Sequence, residues 1–505
     1  MKASHVLIFI LSVFALLGIG WATFPAEGVS MGAMTLRFPS YAEDRLGSKE
    51  EVDVDEVLDR VSKSYEMAYS ETQLDSLVFF RDYLTLNPNR IYLPHNDYTY
   101  FDSLFQQLEH AKQDKKIYRV MHYGDSQIEM DRITSVLRQR LQELFGGSGP
   151  NMIPAIQRIS SISISQSYSG SLTRYCVYGD STTRRAPHGR YGVMTQFSQA
   201  NGQANITFNK TRHSQALDKV KEISHIGVLV GNNSEGFKAV LKADTLKTEP
   251  KICAANDGVT LLSWDLPAEV SRGTITLQGT AEVYAILLDG EAGVAVDNNP
   301  LRGCSGTIFT RINKRVMEES FDALDTRMII LQFGGNRMPG IHGSKAIGNY
   351  MTELEKQINY FKEVAPKATL LFIGPADMGK SYNGKIGTWK GLPELNDSLR
   401  ATALRNDVAY WDMFHVMGGE GSMAQYVKHK PALAGPDYIH FTFLGAQEIG
   451  DDLAKSITTY YDFYKMRQKL PDESISHFMN KSRESIEQER ANQKKSFKPM
   501  NYYHP

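Results

Sequence analysis

Two stretches of the chain alternate apolar β-type runs with amphipathic helical patterns. Residues 118–123 predict a strand, and residues 128–145 predict a helix whose apolar positions recur at helical spacing. The same order returns later, with strands predicted at 328–333 and 369–373 on either side of a helix from about Ala346 to Val364. Such alternation predicts an α/β fold, in which a parallel sheet is flanked by helices.

The middle of the chain, from about Tyr191 to Leu288, follows a different pattern. Its apolar runs are short, alternate with polar residues and end at Gly and Asn turns, as in 204–208 and 273–277. Several short strands of this kind predict a β-sandwich. Because the stretch separates the two halves of the strand–helix pattern, we interpret residues 191–290 as an inserted domain.

The size and charge of the chain limit the number of domains and the classes of partner that can be expected. A chain of 505 residues is too long for one hydrophobic core, so two or three domains are expected. A net charge of −1 offers no basic excess for phosphates, which argues against a nucleic-acid partner. The predicted segments are a signal peptide or anchor (1–24), a helical N-terminal region (25–116), the first part of the core (117–190), the insert (191–290), the second part of the core (291–465) and a charged helical tail (466–505).

The N-terminus has the pattern of an export signal. Met1-Lys2 is followed by an apolar run from Val6 to Phe24. The run is nearly long enough to span a bilayer, and Gly20-Trp21-Ala22 is a poor cleavage site, so a cleaved signal and a membrane tether through residues 6–24 both stay open. Three cysteines allow at most one disulfide, which excludes a disulfide framework. We therefore expect an exported protein.

The run His122-Tyr123-Gly124-Asp125-Ser126-Gln127 places a serine where a predicted strand meets a helix. A serine hydroxyl is a poor nucleophile until a base takes its proton, so Ser126 needs a histidine nearby. The best candidate is His440. Asp437 lies three residues earlier, where its carboxylate can orient the imidazole and stabilise the imidazolium. These residues predict the Ser–His–Asp site of a serine hydrolase.

Acyl transfer also requires hydrogen-bond donors aimed at the tetrahedral oxyanion. Asn336 ends a Gly-Gly-Asn turn after a predicted strand, which places its amide at the sheet edge beside Ser126. Gly306 is predicted to supply a backbone N–H from a glycine-containing loop, although Gly303 can serve the same loop. The backbone N–H of Ser126 is the third expected donor.

These segments resemble the SGNH (GDSL-like) hydrolase family, in the order in which that family carries its four blocks. The resemblance covers about 120–190 and 295–460, and it implies a flavodoxin-like parallel sheet with no cofactor and no metal. Arg337 stands where many members carry Asp, which leaves the mechanism intact and alters the neighbouring substrate surface. The four blocks are Gly124-Asp125-Ser126, Gly306, Gly334-Gly335-Asn336 and Asp437 to His440.

The inserted domain narrows the resemblance. An SGNH core interrupted by a β-sandwich between its first two blocks is similar to the periplasmic peptidoglycan O-acetylesterases, whose insert resembles a carbohydrate-binding module. This likeness implies a periplasmic or cell-envelope serine esterase that removes O-acetyl groups from peptidoglycan or another polysaccharide. Two alternatives stay open. One is an O-acetyltransferase that uses the same site, and the other is a non-catalytic glycan-binding or scaffold protein.

Residues 374–381 match the phosphate-binding loop pattern and follow a predicted strand. Pro375 has no N–H to offer a phosphate, and Asp377 would add a negative charge to an anion site. The residues that follow do not predict the helix whose N-terminus the motif requires. We interpret the segment as a strand-end loop, which argues against an NTPase.

Overall fold

The computed structural model describes most of the chain, which divides into two compact units, residues 1–77 and 78–505. Residues 37–70 of the predicted N-terminal helical region and most of the predicted tail lie outside the described residues. The described residues are 3–23, 29–31, 34–36 and 71–470, with Ile475 and Met479.

The first unit contains helix α1 (Ala3–Thr23) and the antiparallel strands β1 (Val29–Met31) and β2 (Met34–Leu36). These two strands fall within a region that the sequence predicted to be mostly helical. Among the described residues, no helix is long and apolar enough to cross a membrane.

Six described strands form a sheet at the centre of the second unit. All neighbouring strands run parallel except the last pair. The strands, in their order across the sheet, are β14 (Gly293–Pro300), β4 (Ile117–Gly124), β15 (Thr326–Gln332), β16 (Thr369–Ile373), β19 (Ala409–Trp411) and β3 (Ile91–Tyr92). Numbered along the chain, the five parallel strands lie in the order 2-1-3-4-5, which is the flavodoxin-like order. The predicted α/β fold is confirmed.

Helices cover both faces of this sheet. Along β15, Ile329 and Leu331 belong to one apolar core and Ile330 to the other, because successive strand residues point to opposite faces. One face carries α5 (Lys314–Ala323), α6 (Ser344–Val364) and α7 (Leu392–Arg405). The other carries α3 (Asp102–His110), α4 (Thr134–Phe145) and α10 (Phe443–Arg467). The remaining described helices are α2 (Glu71–Leu86), α8 (Met413–Val416) and α9 (Ser422–Lys428).

Nine described strands form an antiparallel sheet between β4 and β14 along the chain. They are β5 (Asn151–Ile153), β6 (Ile164–Cys176), β7 (Gln196–Lys210), β8 (His225–Asn233), β9 (Phe237–Ala243), β10 (Leu246–Lys247), β11 (Lys251–Cys253), β12 (Asn256–Asp265) and β13 (Arg272–Asp289). The first part of β13 pairs with β7 and β9, and its last part pairs with β5 and β8. Side chains from both groups share one apolar core. This arrangement agrees with an inserted β-domain, whose strands begin at Asn151, before the predicted boundary at 191.

The segment after the nucleophile candidate differs from the single helix predicted for 128–145. Residues Ser126–Asp131 form a 3₁₀ turn that is interrupted at Glu129 and Met130, and α4 begins only at Thr134. Met130 has a φ of +60°, a left-handed conformation that interrupts the turn. The buried side chain of Asp131 then pairs with Arg138 of α4 at 2.5 Å.

The segment that matches the phosphate-binding loop leads into a hairpin. Strand β17 (Gly379–Tyr382) pairs antiparallel with β18 (Lys385–Thr388). A strand therefore follows residues 374–378 where a phosphate-binding loop requires a helix, and no helix N-terminus is present there to receive an anion.

Candidate active site

The candidate residues lie at the point where the strand order of the parallel sheet reverses. Ser126 follows the C-terminal end of β4, and Asn336 follows the C-terminal end of the adjacent β15. In the 2-1-3-4-5 order, this pair of strands forms the switch point, where the loops diverge and leave a crevice. The fold itself therefore opens a cleft beside Ser126.

Three predicted residues form one hydrogen-bonded chain. The Ser126 Oγ lies 2.8 Å from His440 Nε2, and His440 Nδ1 lies 2.7 Å from Asp437 Oδ2. With its Nδ1 proton donated to the carboxylate, the imidazole presents Nε2 as an acceptor for the serine proton. Burial alone would raise the pKa of Asp437, but hydrogen bonds from His440 and from the backbone N–H groups of His440 and Ile439 lower it below its ordinary value. The carboxylate thus stays ionised beside the ring.

Two side chains that the sequence interpretation missed hold this chain of residues together. The Gln127 amide donates to the carbonyl oxygen of Ile439 at 2.7 Å. The Arg132 guanidinium donates to the Ser126 carbonyl at 3.2 Å and to the Phe441 carbonyl at 2.7 Å. Gln127 and Arg132 therefore connect the turn that carries Ser126 to the loop that carries His440. The position of Gln127 directly after the serine was the only signal for such a role in the sequence.

Asn336 lines the same cleft as Ser126 and contacts Asp125. Its Nδ2 donates to Asp125 Oδ2 at 3.0 Å and to the Cys304 carbonyl at 3.2 Å. Burial raises the pKa of Asp125 to about 6, while hydrogen bonds from the Gln127 N–H and from Asn336 and the charge of His440 act in the opposite direction. Both N–H groups of the Asn336 amide are thus engaged, so donation to an oxyanion requires one of them to be shared or turned.

The structure does not bring Gly306 to the cleft. Its N–H points to Cys304 Sγ at 3.3 Å, and a Cβ at this position would lie 2.8 Å from the ring of Phe333. The cleft around Ser126 is instead lined by Gly303, the other glycine of the same loop. The prediction of Gly306 as a donor therefore disagrees with the geometry, because the loop turns inward after Cys304.

The cleft has two lobes on either side of Ser126. One is a cavity of about 230 Å³ with mainly apolar walls. These include Phe333, Pro339, Met378, Trp389, Met413 and Ile439. The other lobe, of about 480 Å³, is lined by Glu129, Arg132 and Arg302. Trp389 follows the β17–β18 hairpin, which the sequence interpretation had assigned only to a loop.

Within the described part of the chain, no group of three His, Cys, Asp or Glu side chains is arranged to hold a metal ion. The reactive groups in the cleft are a hydroxyl, an imidazole, carboxylates and amides. Together they suit proton transfer and nucleophilic attack on a carbonyl carbon.

Comparisons with known proteins agree with this description. Residues 269–447, which include Asn336, Asp437 and His440 but not Ser126, match the GDSL-like Lipase/Acylhydrolase family. A solved peptidoglycan O-acetylesterase is similar over 72% of this chain and 96% of its own, with a TM-score of 0.56 and 17% identity. No curated protein matches the chain.

Two further solved structures are similar at lower TM-scores. The match to an acetyl xylan esterase covers 32% of this chain and 81% of that protein, with a TM-score of 0.26 and 13% identity. The second is a family two carbohydrate esterase from Clostridium thermocellum, solved in complex with cellohexaose. This match covers 58% of this chain and 100% of that protein, with a TM-score of 0.25 and 11% identity.

The family match over residues 269–447 and the fold shared with the solved esterase agree with the resemblance to the SGNH (GDSL-like) hydrolases that the four sequence blocks carry. Three of those blocks lie inside the matched segment, namely Gly306, Gly334-Gly335-Asn336 and Asp437 to His440, and the Gly124-Asp125-Ser126 block lies before it.

Proposed function

We propose that this protein is a serine esterase that removes O-acetyl groups from a cell-envelope or other polysaccharide by way of an acyl-enzyme. The observation that carries the proposal is the continuous hydrogen-bonded chain from Ser126 Oγ through His440 to Asp437. A nucleophile, a base and an orienting carboxylate in this geometry are the parts that acyl transfer requires.

The proposed reaction has two halves. In the first, Ser126 Oγ bonds to the acetyl carbon while His440 Nε2 takes the serine proton. The tetrahedral oxyanion is stabilised by the Ser126 N–H and by the Asn336 amide. Cleavage of the ester bond then releases the sugar oxygen, which receives the proton from His440.

In the second half, His440 takes a proton from water as the water oxygen attacks the acetyl-serine carbonyl. Collapse of the second tetrahedral intermediate releases acetate and returns the proton to Ser126 Oγ. Asp437 stabilises the imidazolium in both halves, without itself becoming protonated. No cofactor takes part in this scheme.

Two features support a polysaccharide substrate. The cleft continues on both sides of Ser126, so an ester on a long chain can reach the hydroxyl without an end of that chain being required. The fold is also shared with a peptidoglycan O-acetylesterase over most of both chains. We accordingly propose that an acetylated polysaccharide, peptidoglycan included, occupies the cleft.

The test is acetate release from an aryl acetate, from O-acetylated peptidoglycan and from acetylated xylan. Ser126→Ala is expected to abolish release from all three. Ser320→Ala, which removes a buried hydroxyl on α5 that bonds only to a helix carbonyl, is the matched control and is expected to keep it. Equal rates in wild type and Ser126→Ala would contradict the proposal. Acetyl transfer to an added sugar, with no free acetate, would replace the esterase with an acetyltransferase.

We also propose that the protein is exported to the periplasm or cell envelope. The support is the apolar helix α1, which lies directly after a short basic start. Fractionation of cells that produce residues 1–505 or residues 25–505 tests this. Export of the full chain and cytoplasmic retention of the shorter one are expected, and retention of both would contradict it.

A further inference from the structure

A cavity of about 110 Å³ lies between the inserted β-domain and the parallel-sheet core, and we call it the arginine cavity. Its walls come from the turn after Ser126, from α4 and β14 of the core, and from β6 and β7 of the insert with the loop before β6. Met130 lines both this cavity and the lobe of about 480 Å³ beside Ser126, so the two spaces adjoin. The arginine cavity therefore lies next to the substrate cleft.

The wall of the arginine cavity carries more positive than negative charge. Its charged side chains are those of Asp131, Arg138, Arg158 and Arg174. Asp131 is paired with Arg138 at 2.5 Å, and both of these side chains are buried. Arg158 and Arg174 form no ion pair with any residue that the structure describes. The cavity thus has a net charge of +2 that no carboxylate of the described chain balances.

The two uncompensated guanidinium groups can be reached from solvent. Arg158 is exposed on the loop before β6, and Arg174 is partly exposed on β6. The Arg174 Nε donates to the amide oxygen of Gln196, another residue of the cavity wall, which fixes one edge of the guanidinium there. Neither terminal nitrogen of Arg174 donates to an oxygen of the described residues, and neither is sealed from solvent. N–H groups of Arg174 are therefore available to a ligand.

A third arginine adds to the positive charge. Arg185 donates to the carbonyl oxygens of Cys176 at 2.7 Å and Gly179 at 3.0 Å, which holds it near Arg174. Burial lowers the pKa of Arg174, and the charges of Arg158 and Arg185 lower it further, while the Cys176 thiol acts in the opposite direction. An arginine stays protonated in a folded protein, so these like charges repel one another and a bound anion would relieve the repulsion. A concave wall of one sign also concentrates ions of the opposite sign.

We infer that the arginine cavity binds a carboxylate group of the polysaccharide whose acetyl ester is held at Ser126. This inference rests on the proposed function, and it deepens it to an acidic, acetylated polysaccharide. The planar guanidinium group matches the two oxygens of a carboxylate and donates to them in parallel. The space suffices, since one water needs about 10–15 Å³ of the same measure. Arg158 and Arg174 thus act as specificity-determining residues that favour acidic over neutral chains.

The first test compares acetate release from an acidic polymer with release from the same polymer after its carboxyl groups have been converted to methylamides. The polymers are O-acetylated peptidoglycan and acetylated pectin. In the wild type, kcat/KM is expected to be about tenfold higher on the acidic form of at least one of them, because hydrogen bonds between charged groups are the strong ones. This ratio is expected to fall towards one in Arg158→Met and in Arg174→Met.

Arg272→Met is the matched control for the loss of one positive charge. Arg272 is an exposed arginine of the same domain, on β13, and it does not line the arginine cavity. Its ratio is expected to equal that of the wild type, which separates the cavity from a general attraction between charges. Because Arg158 lies on an exposed loop, its variant keeps the test decisive if Arg174→Met does not fold.

Two outcomes of the kinetic test separate the inference from the proposed function. A ratio of one in the wild type on both polymers, or a ratio that is the same in the wild type and in Arg158→Met, would overturn the carboxylate site and leave the esterase standing. Acetate release from an aryl acetate but from neither polymer would overturn the proposed substrate class, and the arginine cavity would then be decided by the second test alone.

The second test needs no turnover. Phenylglyoxal modifies accessible arginines, and peptide mass spectrometry measures the modified fraction of each one. The acidic, de-O-acetylated polymer is expected to protect Arg158 and Arg174 and to leave Arg272 unprotected, whereas its methylamide form is expected to protect none of the three. Equal modification with and without the acidic polymer would overturn the site. Equal protection by sodium acetate at the same carboxylate concentration would show an anion site that does not recognise the glycan, and would overturn the inference as well.

Discussion

The side chain of Gln127 bonds to the backbone on both sides of His440. Its amide donates to the carbonyl oxygen of Ile439 at 2.7 Å, and its amide oxygen accepts from the N–H of Phe441 at 3.4 Å. Gln127, the residue after the nucleophile, is thereby bonded to the residues on either side of His440, which lie more than 300 positions later in the chain. Gln127 is a positioning residue that sets the distance between Ser126 and His440.

Gln127→Ala is expected to lower kcat on an aryl acetate by about tenfold to a hundredfold, because small displacements of reacting groups are costly. KM is expected to change little, since the variant keeps the apolar walls of the cleft. Gln106→Ala, at an exposed glutamine on α3, is the control and should match the wild type. A raised KM with an unchanged kcat would assign Gln127 to substrate binding instead.

The chain contains a second Asp–His pair with the spacing of the proposed one. Asp412 Oδ2 lies 2.8 Å from His415 Nδ1, compared with 2.7 Å in the pair Asp437 and His440. His415 is half-exposed, and it does not line the cleft around Ser126. The spacing and the Asp–His contact are therefore the same, whereas the two pairs differ in their place in the fold and in the burial of the carboxylate, which is complete for Asp412.

His440→Ala is expected to lower kcat by about 10²- to 10⁴-fold, the usual contribution of general acid–base catalysis. His415→Ala is expected to remain within about twofold of the wild type, because Asp412 keeps its hydrogen bonds from Asn396 and Arg400. Steady-state kinetics on an aryl acetate measures both. Similar losses in the two variants would remove the special role of His440.

Because the two Asp–His pairs have the same spacing, their local sequence does not tell them apart, and the site was predictable from the sequence only in part. The Gly-Asp-Ser block, the Gly-Gly-Asn turn and Asp437 to His440 each follow a predicted strand or precede a predicted helix, so the parallel sheet brings them to one edge. Gln127 and Arg132 have no such signal, because their roles depend on backbone carbonyls that are distant in sequence.

The fold was predictable where the spacing of apolar residues was regular over a long stretch of the sequence. The helix predicted from about Ala346 to Val364 is α6, whose ends are Ser344 and Val364. The inserted strands were harder to delimit. Residues 273–277 were predicted as a short strand, yet they belong to the 18-residue strand β13, which continues through Gly279 at a φ of +113°. Long-range pairing with β7 and β9 overrides that local break.

The two glycines of the Gly303 to Gly306 loop differ in the space around them. Both have a positive φ, of +76° and +81°, so alanine at either position costs about 1–2 kcal/mol in backbone strain. A Cβ on Gly306 would also lie 2.8 Å from the Phe333 ring, whereas one on Gly303 meets only the Tyr178 hydroxyl at 3.5 Å. The Phe333 ring therefore leaves no room for a side chain at residue 306.

Gly306→Ala is therefore expected to lower the free energy of unfolding by about 1–3 kcal/mol more than Gly303→Ala does. Urea unfolding followed by tryptophan fluorescence measures the two variants side by side. Equal losses would mean that the Phe333 ring moves aside without cost, and the tight packing behind the cleft would have to be reconsidered.

The carboxyl of Asp125 connects pH to stability in a direction that is unusual for an aspartate. Burial raises its pKa to about 6 in the folded protein, from an ordinary value of 3.8. Between these two values the folded state binds more protons than the unfolded state, so the free energy of unfolding falls as pH rises. The stability that this group contributes is fully present below pH 3.8 and is lost as pH rises through about 6.

A difference of about two pKa units corresponds to about 3 kcal/mol. Asp125→Asn cannot ionise, so the free energy of unfolding of the wild type is expected to fall relative to this variant by about 2–3 kcal/mol between pH 4 and pH 7. Taking the difference between the two proteins at each pH cancels the titration of the other carboxylates. Urea unfolding at half-unit pH steps measures it. A difference that stays constant with pH would show that Asp125 is ionised throughout, and the hydrogen bonds from Gln127 and Asn336 would then outweigh its burial.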